Sequence, residues 1–462
     1  MRWSTALLLA PLLSLATAIS SAGSRLLVVN EEAADEKKYS QFFDDLKARG
    51  YSLSFQSPKN EKLALFKHGE REYDHVLLLP PKSKGLGPSL TPKILLEFMQ
   101  KEGNIMLALS SEGSIPSAIS SLLLEFDISL PTDKNTVTVD HFHYDTVSAA
   151  EKHDVILLPR PSSTNTLTKL FGGAGLVAFP RAVAQTLGNE SPLLNSIVSA
   201  ESTTYTYISK DEAETSDDPF AVGNQIALVS TMQARNSARF TTFGSVEALE
   251  NKWFDATARL PAGQKQKVVN RDFAKQVTEW AFKETGVLKV QSVSHYLTEY
   301  ASIANSTDVD QAKNLNPKIY RVKNDVTFNI EISEYQHDHW APLTVPDDDS
   351  LQLEFTMLSP YHRLALQPAS STPHSTAFTA TFTTPDQHGI FAFKVNYKRP
   401  FLTSIEYKEE VTVRHFAHDE FPRSWVISGA WPWIGGIWVT IGGWIAFVAV
   451  WLWSAPAAPK SR

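Results

Sequence analysis

No cysteine occurs in the 462 residues. Thiol nucleophiles, disulfide exchange and Cys-ligated zinc are therefore excluded. A chain of this length buries enough surface to do without disulfide staples, which small exported domains need. A large excess of one charge is also missing: 43 Lys and Arg face 50 Asp and Glu, a formal net charge of −7. No polybasic patch offers itself to a nucleic-acid backbone. A glycine-rich phosphate loop is absent where one would be sought. The turn after the first apolar run reads NEEAADEKK (30–38); it has no glycine and carries Glu31, Glu32 and Asp35 where a phosphate would sit. Such a loop repels anions. Gly172, Gly173 and Gly175 cluster without the fingerprint spacing and read as loop, and Ser110 has no G-x-S-x-G elbow around it.

What is present is organised by a run near the C-terminus, IGGIWVTIGGWIAFVAVWL (434–452), without charge or proline. At 1.5 Å per residue it makes roughly 28 Å of helix, close to a bilayer's hydrocarbon thickness. Trp431 and Trp433 precede it, and Trp451 and Trp453 close it, as amphipathic rings do at membrane interfaces. A transmembrane helix is expected over 431–453, with 454–462 (SAPAAPKSR) as a basic cytosolic tail. At the other end, Arg2, an apolar stretch and then small residues make a secretory signal peptide over 1–18. Ala16 and Ala18 form an A-x-A cleavage pattern, with cleavage after Ala22 as the alternative. The body between is expected to be luminal, in single-pass type I topology.

In the first part of that body, short apolar runs alternate with helical periods. RLLVVN (25–30), DHVLLL (74–79) and NIMLAL (104–109) suit buried strands. Tyr39, Phe42, Phe43 and Leu46 make a helical face, with Gly50 as its C-terminal stop. Thr91-Pro92 starts a second helix, with Leu95, Phe98 and Met99 inward. Strands follow at 155–158, 225–231 and 239–243. A helix capped by Asn270 buries Phe273, Val277, Trp280 and Ala281 and ends at Gly286; the serine-rich 110–121 and acidic 210–218 read as loops. This order predicts an α/β, Rossmann-like region over 19–305 with a parallel sheet. From Tyr320 the period changes to two, with Val326, Phe328, Ile330 and Ile332, then Leu351, Leu353, Phe355 and Met357, then Phe391, Phe393, Val395 and Tyr397. An antiparallel β-sandwich is expected over 306–422.

Candidate chemistry is sparse. His141, His143 and Asp145 have the spacing of three ligands on one strand face, but the alternation TVTVDHFHYD reads more simply as a polar outer face. His337 and His339 form a second pair; Asp347, Asp348 and Asp349 read as a solvated turn. Asp308 and Asp310 match the D-x-D with which glycosyltransferases hold a metal-bound nucleotide sugar. No residue set reads as catalytic, and no cofactor or metal site is assigned. Asn189 and Asn305 open sequons and are glycosylation candidates. Within the membrane run, Gly435, Gly442, Ala446 and Ala449 share one helix face, widened by Gly436 and Gly443. Small residues let helices approach closely in lipid, where packing drives association.

The order of parts and several stretches together resemble the DDOST/WBP-type (48 kDa-class) subunit family of the eukaryotic oligosaccharyltransferase. The stretches are SRLLVVNEE (24–32), QIALVSTMQARNSARFTTFGS (225–245), GVLKVQSVSH (286–295), NPKIYRVKNDVTFNIEI (316–332), LQLEFTMLSPYHR (351–363), HGIFAFKVNYKRP (388–400) and VTVRHFAHDEFPR (411–423). The resemblance implies a GIFT-like N-terminal domain and a non-catalytic scaffold subunit in the endoplasmic reticulum membrane. The complex moves a dolichol-diphosphate-linked oligosaccharide to the Asn of Asn-x-Ser/Thr. Implied partners are the multi-span catalytic STT-type subunit, the small DAD-type subunit and the ribophorin-II/Swp-type subunit. The tail departs from the family's dilysine: Lys460 is third from the end, beside Ala458 and Pro459. The rival expectation is a luminal membrane-anchored glycosyltransferase using the D-x-D metal site.

Overall fold

The computed structural model describes residues 20–31, 35–81, 85–112, 115–133, 136–188, 191–208, 218–300, 315–421 and 430–454. The first region is built on a seven-stranded mixed sheet. Its order is Leu194–Ser199, Ala227–Gln233, Arg239–Phe243, Asn104–Ala108, His75–Leu78, Arg25–Val29 and Ser52–Gln56. The last five are mutually parallel, as expected. Ala227–Gln233 runs opposite to the rest, pairing antiparallel with both its neighbours, a departure from the expected all-parallel sheet. The connection 234–238 is too short for a crossover, so the chain must return as a hairpin.

The central strands are buried on both faces. Leu26, Val28, Leu77 and Met106 pack on one side with Phe42, Phe43 and Leu46 of helix Ser40–Ala48 and Phe273, Val277 and Trp280 of helix Asn270–Ala281. Leu27, Val29, Val76, Leu78, Ile105 and Leu107 pack on the other, against Leu95, Phe98 and Met99 of helix Pro92–Gln100 and Ile119, Leu122 and Leu123 of helix Ser117–Glu125. Covering helices on both faces are what parallel strands require.

Several local expectations are corrected. Residues 117–121, within the stretch 110–121 read as loop, begin a helix that runs to Glu125, because Ile119, Leu122 and Leu123 share one buried face while the serines occupy others. Strand Val155–Pro159 is buried over 155–158 as expected, but it pairs with Leu176–Pro180 as a separate ribbon outside the main sheet. Asn270 is not a cap: its amide bonds Ala178 N and O and Ala248 O, all within 3.0 Å. The turn after that helix falls on Lys283, at φ +60°, and Gly286 lies in the next strand. Gly50, at φ +87°, does follow the first helix as expected.

The second region has two five-stranded sheets. One contains Thr285–Leu297, Asp325–Gln336, Thr376–Thr383 and Gln367–Ser371, with His339–Pro342 on the side of the second; the other runs Ile319–Arg321, Ile405–Arg414, Gly389–Tyr397, Gln352–Thr356 and Pro360–Ala365. The inward residues of both meet in one core around Phe328, Ile330, Phe355 and Phe393. Strand Thr285–Leu297, expected on the α/β side of a boundary at 305, pairs with Asp325–Gln336 along its length. Register shifts after Thr285 and Val290 break its alternation, which hid its period. The helix Trp431–Trp453 is long and apolar enough to cross a membrane, and none of it is buried.

Candidate functional site

Among the described residues, those singled out for metal chemistry do not converge on one site. The strand carrying the first set stops at Val139. There the buried Asp140 takes bonds from Phe142 N (2.7 Å) and His143 N (3.1 Å) and from the Thr203 and Thr204 hydroxyls (both 2.9 Å). That turn separates the three candidates. His141 Nε2 meets Tyr205 Oη at 2.8 Å, His143 lies 3.3 Å from Asp140, and Asp145 accepts Arg259 N at 2.8 Å. Burial alone would raise the Asp145 carboxyl, but the bonds from Arg259 and Ser148 outweigh it and hold it below the usual range. Asp145 is thus a structural tie.

His339 pairs with Asp338, while His337 lies 3.7 Å from Glu279. Glu279, Glu284 and His337 are the grouping among the described residues whose ligand atoms come within 4.8 Å. Cations already serve it. Arg49 and Tyr51 Oη both reach Glu284 Oε1 at 2.7 Å, and Lys275 lies 3.8 Å from Glu279. Burial pushes the Glu284 carboxyl up, and Arg49 opposes it. Asp349, expected in a solvated turn, is tied to Tyr397 Oη at 2.8 Å and to Arg399 at 2.7 Å. Asn189, Asn305, Asp308, Asp310, the stretch 1–18 and the tail from 455 lie outside the described residues.

The seam between the two regions was not singled out in advance. Arg239, fully buried, donates to Gln233 Oε1 (3.1 Å), Trp280 O (2.6 Å), Thr285 O (2.7 Å) and Gly286 O (2.8 Å). It therefore fastens the end of helix Asn270–Ala281 to the first strand of the second region. Burial pushes its guanidinium down to about 9. Trp280 Nε1 donates to Phe401 O at 2.7 Å, Gln233 Nε2 to Leu402 O at 2.6 Å, and Lys169 pairs with Glu334 at 2.7 Å. Much of this seam is side chain to backbone carbonyl, which leaves no residue pattern to read. The one available signal was an arginine inside an otherwise apolar and hydroxylic strand.

On the membrane helix, a Cβ placed at Gly435, Gly436, Gly442 or Gly443 would meet no atom of this chain within 4 Å. Ala446 and Ala449 are exposed as well. Thr440 Oγ1 is satisfied by Gly436 O at 2.9 Å. The arrangement offers two surfaces: a body whose regions are joined by buried hydrogen bonds, and an apolar helix with an open small-residue face.

Known proteins resemble both halves. The family model for the OST48 N-terminal domain matches residues 17–284, and that for the OST48 middle domain matches 306–455. The wbp1 subunit of dolichyl-diphosphooligosaccharide–protein glycosyltransferase from Schizosaccharomyces pombe is 32% identical, over 98% of this chain and 98% of the relative. The 48 kDa subunits of the same enzyme from Arabidopsis thaliana and Danio rerio are 28% and 29% identical, over 96% and 93% of this chain and 96% and 91% of the relatives. Among solved structures, a carbohydrate deacetylase matches at TM-score 0.28 and 11% identity, over 48% of this chain and 29% of its own. A glutamine amidotransferase from Thermotoga maritima matches at 0.25 and 8%, over 48% and 74%. Likenesses that weak carry no argument. The N-terminal family model alone covers more than half of the chain, and the wbp1 relative aligns almost end to end: the chain belongs to the OST48 family.

Proposed function

We propose that this chain is a non-catalytic subunit of the oligosaccharyltransferase complex, which glycosylates Asn-x-Ser/Thr in the endoplasmic reticulum lumen. One observation carries the reading: near-full-length similarity to proteins named as subunits of that enzyme. Its partners are the multi-span catalytic STT-type, DAD-type and ribophorin-II/Swp-type subunits. A Rossmann-like, GIFT-like region and a β-sandwich stand in the lumen in type I topology, with Trp431–Trp453 as anchor. Supporting that division are the five parallel strands of the first region and the single core shared by the two later sheets. We place the boundary between the regions at 284/285, because Thr285 begins the second region's sheet.

Signal cleavage follows Ala18 rather than Ala22. Ser20 Oγ donates to Phe282 O at 2.6 Å and Ser21 N to Lys283 O at 3.1 Å, bonds that cleavage after Ala22 would remove. Glycans at Asn189 and Asn305, and docking through Gly435, Gly442, Gly443, Ala446 and Ala449, complete the reading. The test is mild-detergent purification of a tagged chain with identification of what accompanies it. The expected result is a multi-span catalytic subunit in stoichiometric yield. Recovery as a lone chain that itself transfers sugar would overturn the proposal.

A further inference from the structure

Along the seam lies a cleft of about 490 Å³, lined by Arg71, Glu102 and Lys283 on one side and Lys289 and Trp340 on the other. Arg71 ends the short strand Glu70–Arg71, Lys283 sits in the turn after helix Asn270–Ala281, and Lys289 is on strand Thr285–Leu297. Three cations thus face one carboxylate, a surplus of two positive charges.

The Lys283 side chain is the anomaly. The residue is 8% exposed, yet its ammonium makes no hydrogen bond or ion pair among the described residues. Arg71 NH1, on the same lining, is buried without a partner. Withdrawing a cation from water is costly unless a partner of opposite sign stands nearby. Burial pushes the Lys283 ammonium down to about 8, and Arg239 and Arg71 push the same way; Glu102 alone opposes them. Against three cations the lining supplies only Glu102, so an anion in the cleft would complete its charge balance.

We propose that this cleft binds a phosphate-bearing small molecule, with the phosphate between the Lys283 ammonium and the Arg71 guanidinium. A dianion matches the surplus charge of the lining. Arginine and lysine together are the usual holders of phosphate, one directional and one a point charge. The cleft is far larger than a bare phosphate. Trp340, with Lys289 Nζ 5.5 Å from its ring centre, supplies a flat wall for the group attached to it.

Lys283 itself reports occupancy. The full-length chain, extracted in mild detergent with the chains that accompany it, is treated with acetic anhydride near pH 8, where about half of the free Lys283 is a neutral nucleophile. Inorganic phosphate, pyrophosphate or acetate is added at matched ionic strength, and acetylation of each lysine is read by peptide mass spectrometry. Lys283 acetylation is expected to fall about tenfold when phosphate or pyrophosphate stands about ten times above its Kd. The exposed Lys62 and Lys265 stay unchanged, and Arg71→Gln abolishes most of the protection. The proposal is overturned if neither phosphate protects Lys283, if acetate protects equally, or if Arg71→Gln is protected like the parent. Absence of Lys283 labelling without added anion, because another chain covers the cleft, also overturns it.

Discussion

Strand His75–Leu78 and strand Ile405–Arg414 show how differently the two regions use a β-strand. In the first, every residue is buried. Neighbours Val76 and Leu77 enter different cores on opposite faces. In the second, Val411 and Val413 are buried while Thr412 and Arg414 face outward. A sheet covered on both sides demands apolar residues at each position; one covered on a single side demands them at every second. The first kind of strand therefore tolerates almost no substitution, and the second tolerates half.

The strongest way to break that comparison is at the seam where the regions meet. Trp280→Ala removes a side chain packed against Phe171, Phe401 and Arg239, together with its bond to Phe401 O. A loss of about 4 kcal/mol is expected. Calorimetry of the full chain should then show the regions melting separately. Arg49→Met leaves Glu284, whose side chain is 1% exposed, without its cation, at a cost of about 3 kcal/mol. Denaturant unfolding measures it, and an unchanged midpoint would mean that the pair contributes nothing.

Adjacent substitutions sharpen the contrast itself. Val76→Ala and Leu77→Ala should each cost about 2–3 kcal/mol. Val411→Ala should cost about 2 kcal/mol, but Thr412→Ala no more than about 0.5 kcal/mol. Equal costs at 411 and 412 would contradict the one-sided burial.

Acid separates the regions through two buried histidines. His75 Nδ1 accepts from Asn104 at 3.2 Å and Nε2 donates to Gly23 O at 3.0 Å, and burial pushes the ring from 6.5 down to about 4. The folded chain therefore holds fewer protons than the unfolded one below pH 6.5. Stability is full above 6.5 and falls as the pH drops towards 4. About 1.4 kcal/mol is lost by one unit below the ordinary value. His75→Phe should flatten that slope. His295 is also pushed down by burial, but Glu409 lies 3.4 Å away to take its charge, so His295→Phe should flatten it less. The smallest effect on folding belongs to Gly442→Leu, which meets no obstacle within the chain. Its melting temperature should match the parent's, while co-purification of partner membrane helices falls several-fold. Val448→Leu is the control and should change neither.

Much of the first region's core was legible, because runs such as Leu77–Leu79 and Ile105–Leu109 admit few readings other than buried strands. Helix 117–125 was hidden by serines, which turns favour but which this helix carries on its less buried positions. Strand 285–297 was hidden by its register shifts. The His141–Asp145 spacing suggested a shared face, and Asp140 bent the chain out of it.

By itself, the sequence determined the span 431–453, the apolar runs of the first region and the two-residue period of the second. Each is a local consequence of which faces must leave water. Which sheet Thr285–Leu297 joins, that Arg239 and Trp280 clasp the seam, and that Lys283 and Arg71 line one cleft were decided only by the tertiary structure. Those contacts join residues far apart in the chain, and most run from a side chain to a backbone carbonyl. Every residue has such a carbonyl, so no pattern of side chains records the pairing.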